Sequence, residues 1–171
     1  MNISIKKFIK LLASSYPQVL PADQANLLLY AHTRGWLEDQ DERFCDKNLN
    51  RQTAARILHQ FMKIELRVPD LQDISPANVL ADLYTCHTCV NHIAQIYLRG
   101  IMGAQTVGRD GLEYKVFNHL EEVSEEEAKN IIKKVSGVLW GCPPLEGVVR
   151  SLSLTTEFPL ETRGARGRRP F

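Results

Sequence analysis

The sequence predicts a mainly α fold, a compact helical domain in which two helix–loop–helix units follow an N-terminal helix. Three observations predict it: apolar residues recur at helical spacing, glycines stand where helices would stop, and short polar residues stand where they would start. The 171 residues suffice for one domain with a real core, and the 44% hydrophobic and 24% charged fractions are those of an ordinary globular protein.

Residues 1–20 read as an N-terminal amphipathic helix. Lys6, Lys7 and Lys10 interrupt Ile3, Ile5, Phe8, Ile9, Leu11 and Leu12, so the segment lacks the roughly 7–15 uninterrupted apolar residues of a secretory leader. Tyr16-Pro17 ends this helix, because the residue before proline is pushed out of the helical region. A second helix is expected from Ala22 to Arg34, with Gly35 as its left-handed stop and Trp36 and Leu37 turning back toward the core. Glu38, Asp39, Asp41 and Glu42 read as an acidic loop leading through Phe44 to Asn50, which caps the next helix. In that helix Ala54, Ile57, Leu58, Phe61 and Met62 fall at i, i+3, i+4, i+7 and i+8, the signature of one buried face.

Pro69 breaks that helix, and Ser75-Pro76 predicts the start of another, carried by Val79, Leu80, Leu83, Val90, Ile93 and Ala94 to Arg99-Gly100 with a break near Cys86. Gly103, Gly108 and Gly111 mark a loop with a short hairpin around Arg109-Asp110. Ser124 with Glu127 then makes a capping box for a last helix through Lys134. Residues 137–171, closing on Arg163-Gly164-Ala165-Arg166-Gly167-Arg168-Arg169, are expected to form a flexible tail whose few charges support at most weak, salt-sensitive binding to RNA or anionic surfaces.

The units, about 22–63 and 70–135, share an order. Arg34-Gly35-Trp36-Leu37 leads through Phe44 to Leu49-Asn50 and a helix with Ile57-Leu58; Arg99-Gly100-Ile101-Met102 leads through Phe117 to Val123-Ser124 and a helix with Ile131-Ile132. With Asp73, Ile93-Ala94, Gly100-Ile101, Phe117 and Ser124-Glu125-Glu126-Glu127, and again with Gly35-Trp36, Phe44 and Asn50-Arg51-Gln52-Thr53, residues 22–135 resemble the S-layer homology family. That family's loop ends in a Thr-Arg-Ala-Glu type motif. The first unit has its arginine as Arg51, whereas the second has Glu125, and two units stand where the family usually has three. The resemblance implies non-covalent attachment to cell-wall polysaccharide, with Arg51, Asp73, Gly35 and Gly100 lining grooves between units. Trp36 is a further candidate, either as an aromatic platform for a sugar or partner or as core packing beside the helix stop.

No phosphate-binding glycine loop, nucleophile elbow or His-Glu-x-x-His pair occurs, so the chain reads as a non-enzymatic binding module for a cell-wall polysaccharide or a protein partner, without a cofactor. The competing reading is an intracellular helical adaptor or regulator that pairs through the apolar face of the first helix. A net charge of +1 offers no field for nucleic acid, and no stretch reaches the roughly 18 apolar residues of a membrane span. With no export signal visible, the cytoplasm is the default location, and the cell surface follows if the wall role holds. Cys45, Cys86, Cys89 and Cys142 read as reduced thiols. Cys86, Cys89 and His92 are the one dense set of metal-ligand types, but the favoured reading places both thiols on a helix face with Val90 and Ile93 as small hydrophobes, with no metal. The run Asp39, Asp41, Asp46 and Asn48 lacks the glycine and glutamate of a calcium loop, having Phe44 and Asn50 at those places.

Overall fold

The computed structural model describes residues 1–18 and 26–139. Among them are six helices, α1 (Ile5–Ser15), α2 (Leu27–Thr33), α3 (Asp39–Arg43), α4 (Arg51–Ile64), α5 (Val90–Leu98) and α6 (Glu125–Leu139). One antiparallel pair of strands, β1 (Gln105–Arg109) and β2 (Leu112–Val116), lies between α5 and α6. The fold is therefore a small mixed α/β one, which corrects the expected mainly α class built from helical repeats alone.

Local chemistry accounts for the differences. Asp110 and Gly111 both have positive φ, 53° and 77°, the two-residue turn whose twist matches a hairpin, so the hairpin expected around Arg109-Asp110 forms, and its two strands are what the mainly α class left out. The long helix expected from Ser75 is instead two 3-10 turns, Ser75–Val79 and Leu83–Thr85, before α5 begins at Val90. Two contacts from β2 and its exit compete with helix there: Ala81 N donates to Lys115 O at 2.8 Å, and the Asp82 carboxylate accepts from Phe117 N and Asn118 N at 2.7 Å each. The acidic loop holds the short α3, because Asp41 Oδ2 accepts from Glu38 N at 2.9 Å and closes a capping box over its first turn. The expected start of the second helix at Ala22 lies outside the described residues. Gly137–Leu139 belong to α6, not to a tail, and 140–171 lie outside the described residues.

Three helices start from one point. Ile3 N donates to Val123 O at 3.0 Å, Val123 N to Leu49 O at 2.8 Å, and Leu49 N to Ile3 O at 2.8 Å, which closes a ring of backbone hydrogen bonds. The residue after each member is an N-cap: Ser4 accepts from Lys7 N, Asn50 from Thr53 N and Ser124 from Glu127 N. Each such cap stabilises its helix by about 1 kcal/mol. The ring residues and the residues five positions on, Phe8, Ala54 and Ala128, are all buried, the apolar clasp that fixes the entry angle of a chain into a helix. Thus α1, α4 and α6 start alike, each from a capped residue beside the same ring.

The core continues inward from that ring. Trp36 meets Phe61 edge to face at 4.9 Å between centroids, Tyr16 lies 5.2 Å from Phe61, and Tyr30 lies 5.8 Å from Trp36. Tyr16 Oη reaches Ser136 Oγ at 2.9 Å, so the aromatic stack of Tyr16, Phe61, Trp36 and Tyr30 is pinned to α6.

Candidate functional site

Arg51 opens α4, where the helix dipole disfavours a cation, and the structure shows what compensates it. Its side chain is buried, with Nε donating to Phe117 O at 2.8 Å, one terminal nitrogen to Gly103 O at 2.5 Å and the other to Glu127. The guanidinium lies 4.7 Å from the centre of the Phe117 ring. The first two amides of α4 are also taken, Arg51 N by Glu121 O and Gln52 N by His119 O, both at 2.9 Å. Arg51 therefore fastens α4 to the chain on either side of the hairpin, at Gly103 and Phe117, and to α6. Asp82, which the sequence reading did not single out, shapes that loop. Burial raises its pKa, but two backbone amides and His119 outweigh this and hold the carboxyl below its ordinary range.

The other sequence candidates stand apart from Arg51. Trp36 is fully buried, and its Nε1 donates to Glu65 Oε1 at 3.0 Å, beside the Arg34–Glu65 pair. It therefore takes the core-packing alternative. Trp36 meets α4 near its far end, so most of that helix, roughly 15 Å at about 1.5 Å per residue, separates it from Arg51. Gly35 and Gly100 sit at equivalent helix stops, with φ of 84° and 69°. At each, the following residue donates to the carbonyl five residues back, Trp36 N to Ala31 O at 2.9 Å and Ile101 N to Ile96 O at 3.1 Å, the bond that a left-handed residue makes possible. Asp73 is exposed and accepts from Ser75 N at 2.9 Å; the Ser75 hydroxyl first, and that amide second, hold its carboxyl below the usual range. The structure thus does not gather Arg51, Trp36, Asp73 and the two glycines into one site.

Cys86 and Cys89 are joined by a disulfide, which corrects the expectation of two reduced thiols on one helix face; Cys86 ends the second 3-10 turn and Cys89 is the N-cap of α5. His92 turns to another partner: its Nδ1 lies 2.7 Å from His59 Nδ1 on α4. His59 Nε2 in turn reaches Asp70 Oδ1 at 3.0 Å, and Lys63 holds the other oxygen of Asp70. Asp70 accepting from His59 Nε2 leaves His59 Nδ1 as an acceptor, so His92 supplies the shared proton while both rings are neutral. Burial lowers both histidine pKa values, that of His92 to about 4. Among the described residues no three His, Cys, Asp or Glu side chains gather as a metal site. His59 was missed in the sequence because it follows the apolar Ile57-Leu58 pair on the most regular helix. Its signal is its place seven residues past Gln52, whose side chain meets Cys89 at the start of α5.

Two surfaces among the described residues bear on binding. The register Val107↔Tyr114 and Arg109↔Leu112 places Val107, Leu112 and Tyr114 on one face of the hairpin, where they are 44%, 59% and 41% exposed. Strand β2 is bridged to Leu80 along its outer edge, whereas among the described residues β1 pairs with β2 alone. The second surface is a groove beside α1 lined by Lys7, Lys10, Leu11, Ser14 and Glu125. No helix among the described residues is long and apolar enough to cross a membrane.

Comparison with family models, with curated proteins and with solved structures finds no match to this chain.

Proposed function

We propose that the chain is a non-enzymatic, S-layer-homology-like binding module that takes a protein partner on its hairpin. The observation that carries this reading is the exposed apolar face of Val107, Leu112 and Tyr114 next to a strand edge without a partner among the described residues. A lone two-stranded ribbon is marginal in water, and natural proteins blunt or cover such edges. The occupant that satisfies both features is an extended segment of another protein, adding as a strand to β1 and laying alternate apolar side chains on the exposed face. Lys115 O points away from β1 toward Ala81 N, so the facing Thr106 and, by alternation, Gly108 direct their backbone groups outward to receive it.

Three helix starts around one backbone ring support the resemblance to a family usually built of three units. A second reading, attachment to an anionic wall polysaccharide, draws on the groove holding Lys7 and Lys10; Arg51 and Trp36 have their polar atoms engaged within the chain. One experiment separates the readings. A photo-crosslinking amino acid at Tyr114, in the chain expressed in its native cells, should give one discrete protein adduct that Leu112→Ser removes. Wall sacculi that retain their polysaccharide should not pellet the purified chain. Pelleting that is lost when Lys7 and Lys10 are changed to Glu, with no adduct at Tyr114, would instead establish the glycan reading.

A further inference from the structure

The Cys86–Cys89 bond plays no part in the binding reading, and its two ends differ in setting. Cys86 is partly exposed, beside the exposed His87 and Thr88, whereas Cys89 is 8% exposed at the start of a nine-residue helix. Thr88 Oγ1 stands 3.5 Å from Cys86 Sγ and 3.8 Å from Cys89 Sγ, within reach of either sulfur as a donor. No side chain caps the first turn of α5, so the amides of that turn and the positive end of the helix dipole lie open at the residue that carries Cys89. An anionic sulfur at a helix N-terminus is stabilised by both, and a disulfide sulfur gains little from either.

The geometry points to a thiol–disulfide exchange site at Cys86–Cys89 that takes electrons from an external thiol, with Cys86 the sulfur attacked and Cys89 the leaving thiolate. The incoming thiolate forms a bond to Cys86 Sγ while the Cys86–Cys89 bond breaks, its electron pair departing on Cys89 Sγ. Attack falls on Cys86 because it is the accessible sulfur, and because the sulfur whose thiolate is better stabilised leaves faster. When the donor is a dithiol, its second thiolate then displaces Cys86 from the mixed disulfide. In sum the dithiol loses two electrons and two protons and becomes a disulfide, and Cys86 and Cys89 each gain one electron and one proton and become thiols.

The test equilibrates the folded full chain in buffers of graded reduced to oxidised glutathione, with a parallel series in dithiothreitol, quenches with iodoacetamide and maps each cysteine by peptide mass spectrometry. The expected result is one reversible two-electron transition shared by Cys86 and Cys89 and not by Cys45, at constant circular dichroism. Glutathione should be trapped on Cys86; the Cys89→Ser variant should accumulate that adduct at least about tenfold faster than Cys86→Ser accumulates one on Cys89. Thiols that persist in fully oxidised glutathione, a bond reduced only once the fold is lost, or glutathione landing first on Cys89 would each overturn the inference. Should either serine variant fail to fold, the order of trapping in the unaltered chain decides the same question.

Discussion

Helices α2 and α5 end alike and then diverge. Each closes on a left-handed glycine, Gly35 or Gly100, and each hands the chain to a buried apolar pair, Trp36-Leu37 or Ile101-Met102. After the first pair the connection folds back, with Glu38 and Asp41 meeting Arg56 of α4 at 3.3 and 2.5 Å. After the second it projects as the β1–β2 hairpin and is held on its return by Ala81 at Lys115 and by Asp82 and Arg51 at Phe117. The stop motif directs the chain only as far as the buried pair. Beyond that, contacts distant in sequence take over: Arg56 holds the first connection against α4, whereas the second, although Arg51 holds its start at Gly103, runs out as the hairpin.

The largest test of this contrast lies at the matched first positions of α4 and α6. Arg51→Ala should lower the free energy of unfolding by about 3–5 kcal/mol, since it leaves Glu127 and two inward carbonyls without their donor. Glu125→Ala, at the corresponding place on α6, should change it by less than about 0.5 kcal/mol, because its main partner is the exposed Lys129. Equal urea midpoints for the two variants would show that the junction is not one-sided.

A second test addresses the seam between the units, where His59 of α4 meets His92 of α5. Their folded pKa values lie below the unfolded value of about 6.5, so the unfolded chain binds more protons in between. Stability from this pair is full above about pH 6.5 and should fall as the pH drops toward 4. Asp70 opposes this lowering; Lys63, Arg56 and Arg99 reinforce it. A pH series of urea midpoints should show the decline, and His92→Gln should flatten it; an unchanged slope would remove the pair from the account.

Smaller effects follow at the stops and the hairpin. Gly35→Ala and Gly100→Ala should each cost about 1 kcal/mol through the left-handed backbone, and thermal unfolding should find them equal within about 0.5 kcal/mol if the two stops are equivalent. At Gly35 the added methyl would meet Ile64 Cδ1 at an ordinary 3.6 Å, so the backbone and not crowding sets the cost. Leu112→Ser should leave stability within about 0.5 kcal/mol, because that side chain is already 59% exposed. A larger loss would mean that the hairpin face is covered.

What the sequence made legible was local. Asn50 and Ser124 as caps, Gly35 and Gly100 as stops and the apolar spacing of α4 all depend on neighbours within a turn or two, and each appears as read. The helix expected through Val79 and Leu83 failed because its competitor, the edge of β2, lies more than thirty residues further on. Arg51 was legible as an anomaly, a cation at a helix start, but its partners Gly103, Phe117 and Glu127 carry no sequence signal that pairs them with it. The first helix was legible, but the likeness of its start to the other two was hidden because Ile3-Ser4 resembles Leu49-Asn50 and Val123-Ser124 in only an apolar residue and a short polar one.

The ring of Ile3, Leu49 and Val123 bears on how the chain folds. Its members are far apart in sequence, so closing it requires two long loops, each at a cost of roughly 3–4 kcal/mol in chain entropy. None of the three capped helices gains its clasp until the others arrive. Such an arrangement favours late, concerted closure over assembly unit by unit, and it makes the amides of Ile3, Leu49 and Val123 a single reporter: they should exchange with solvent only when the whole domain opens.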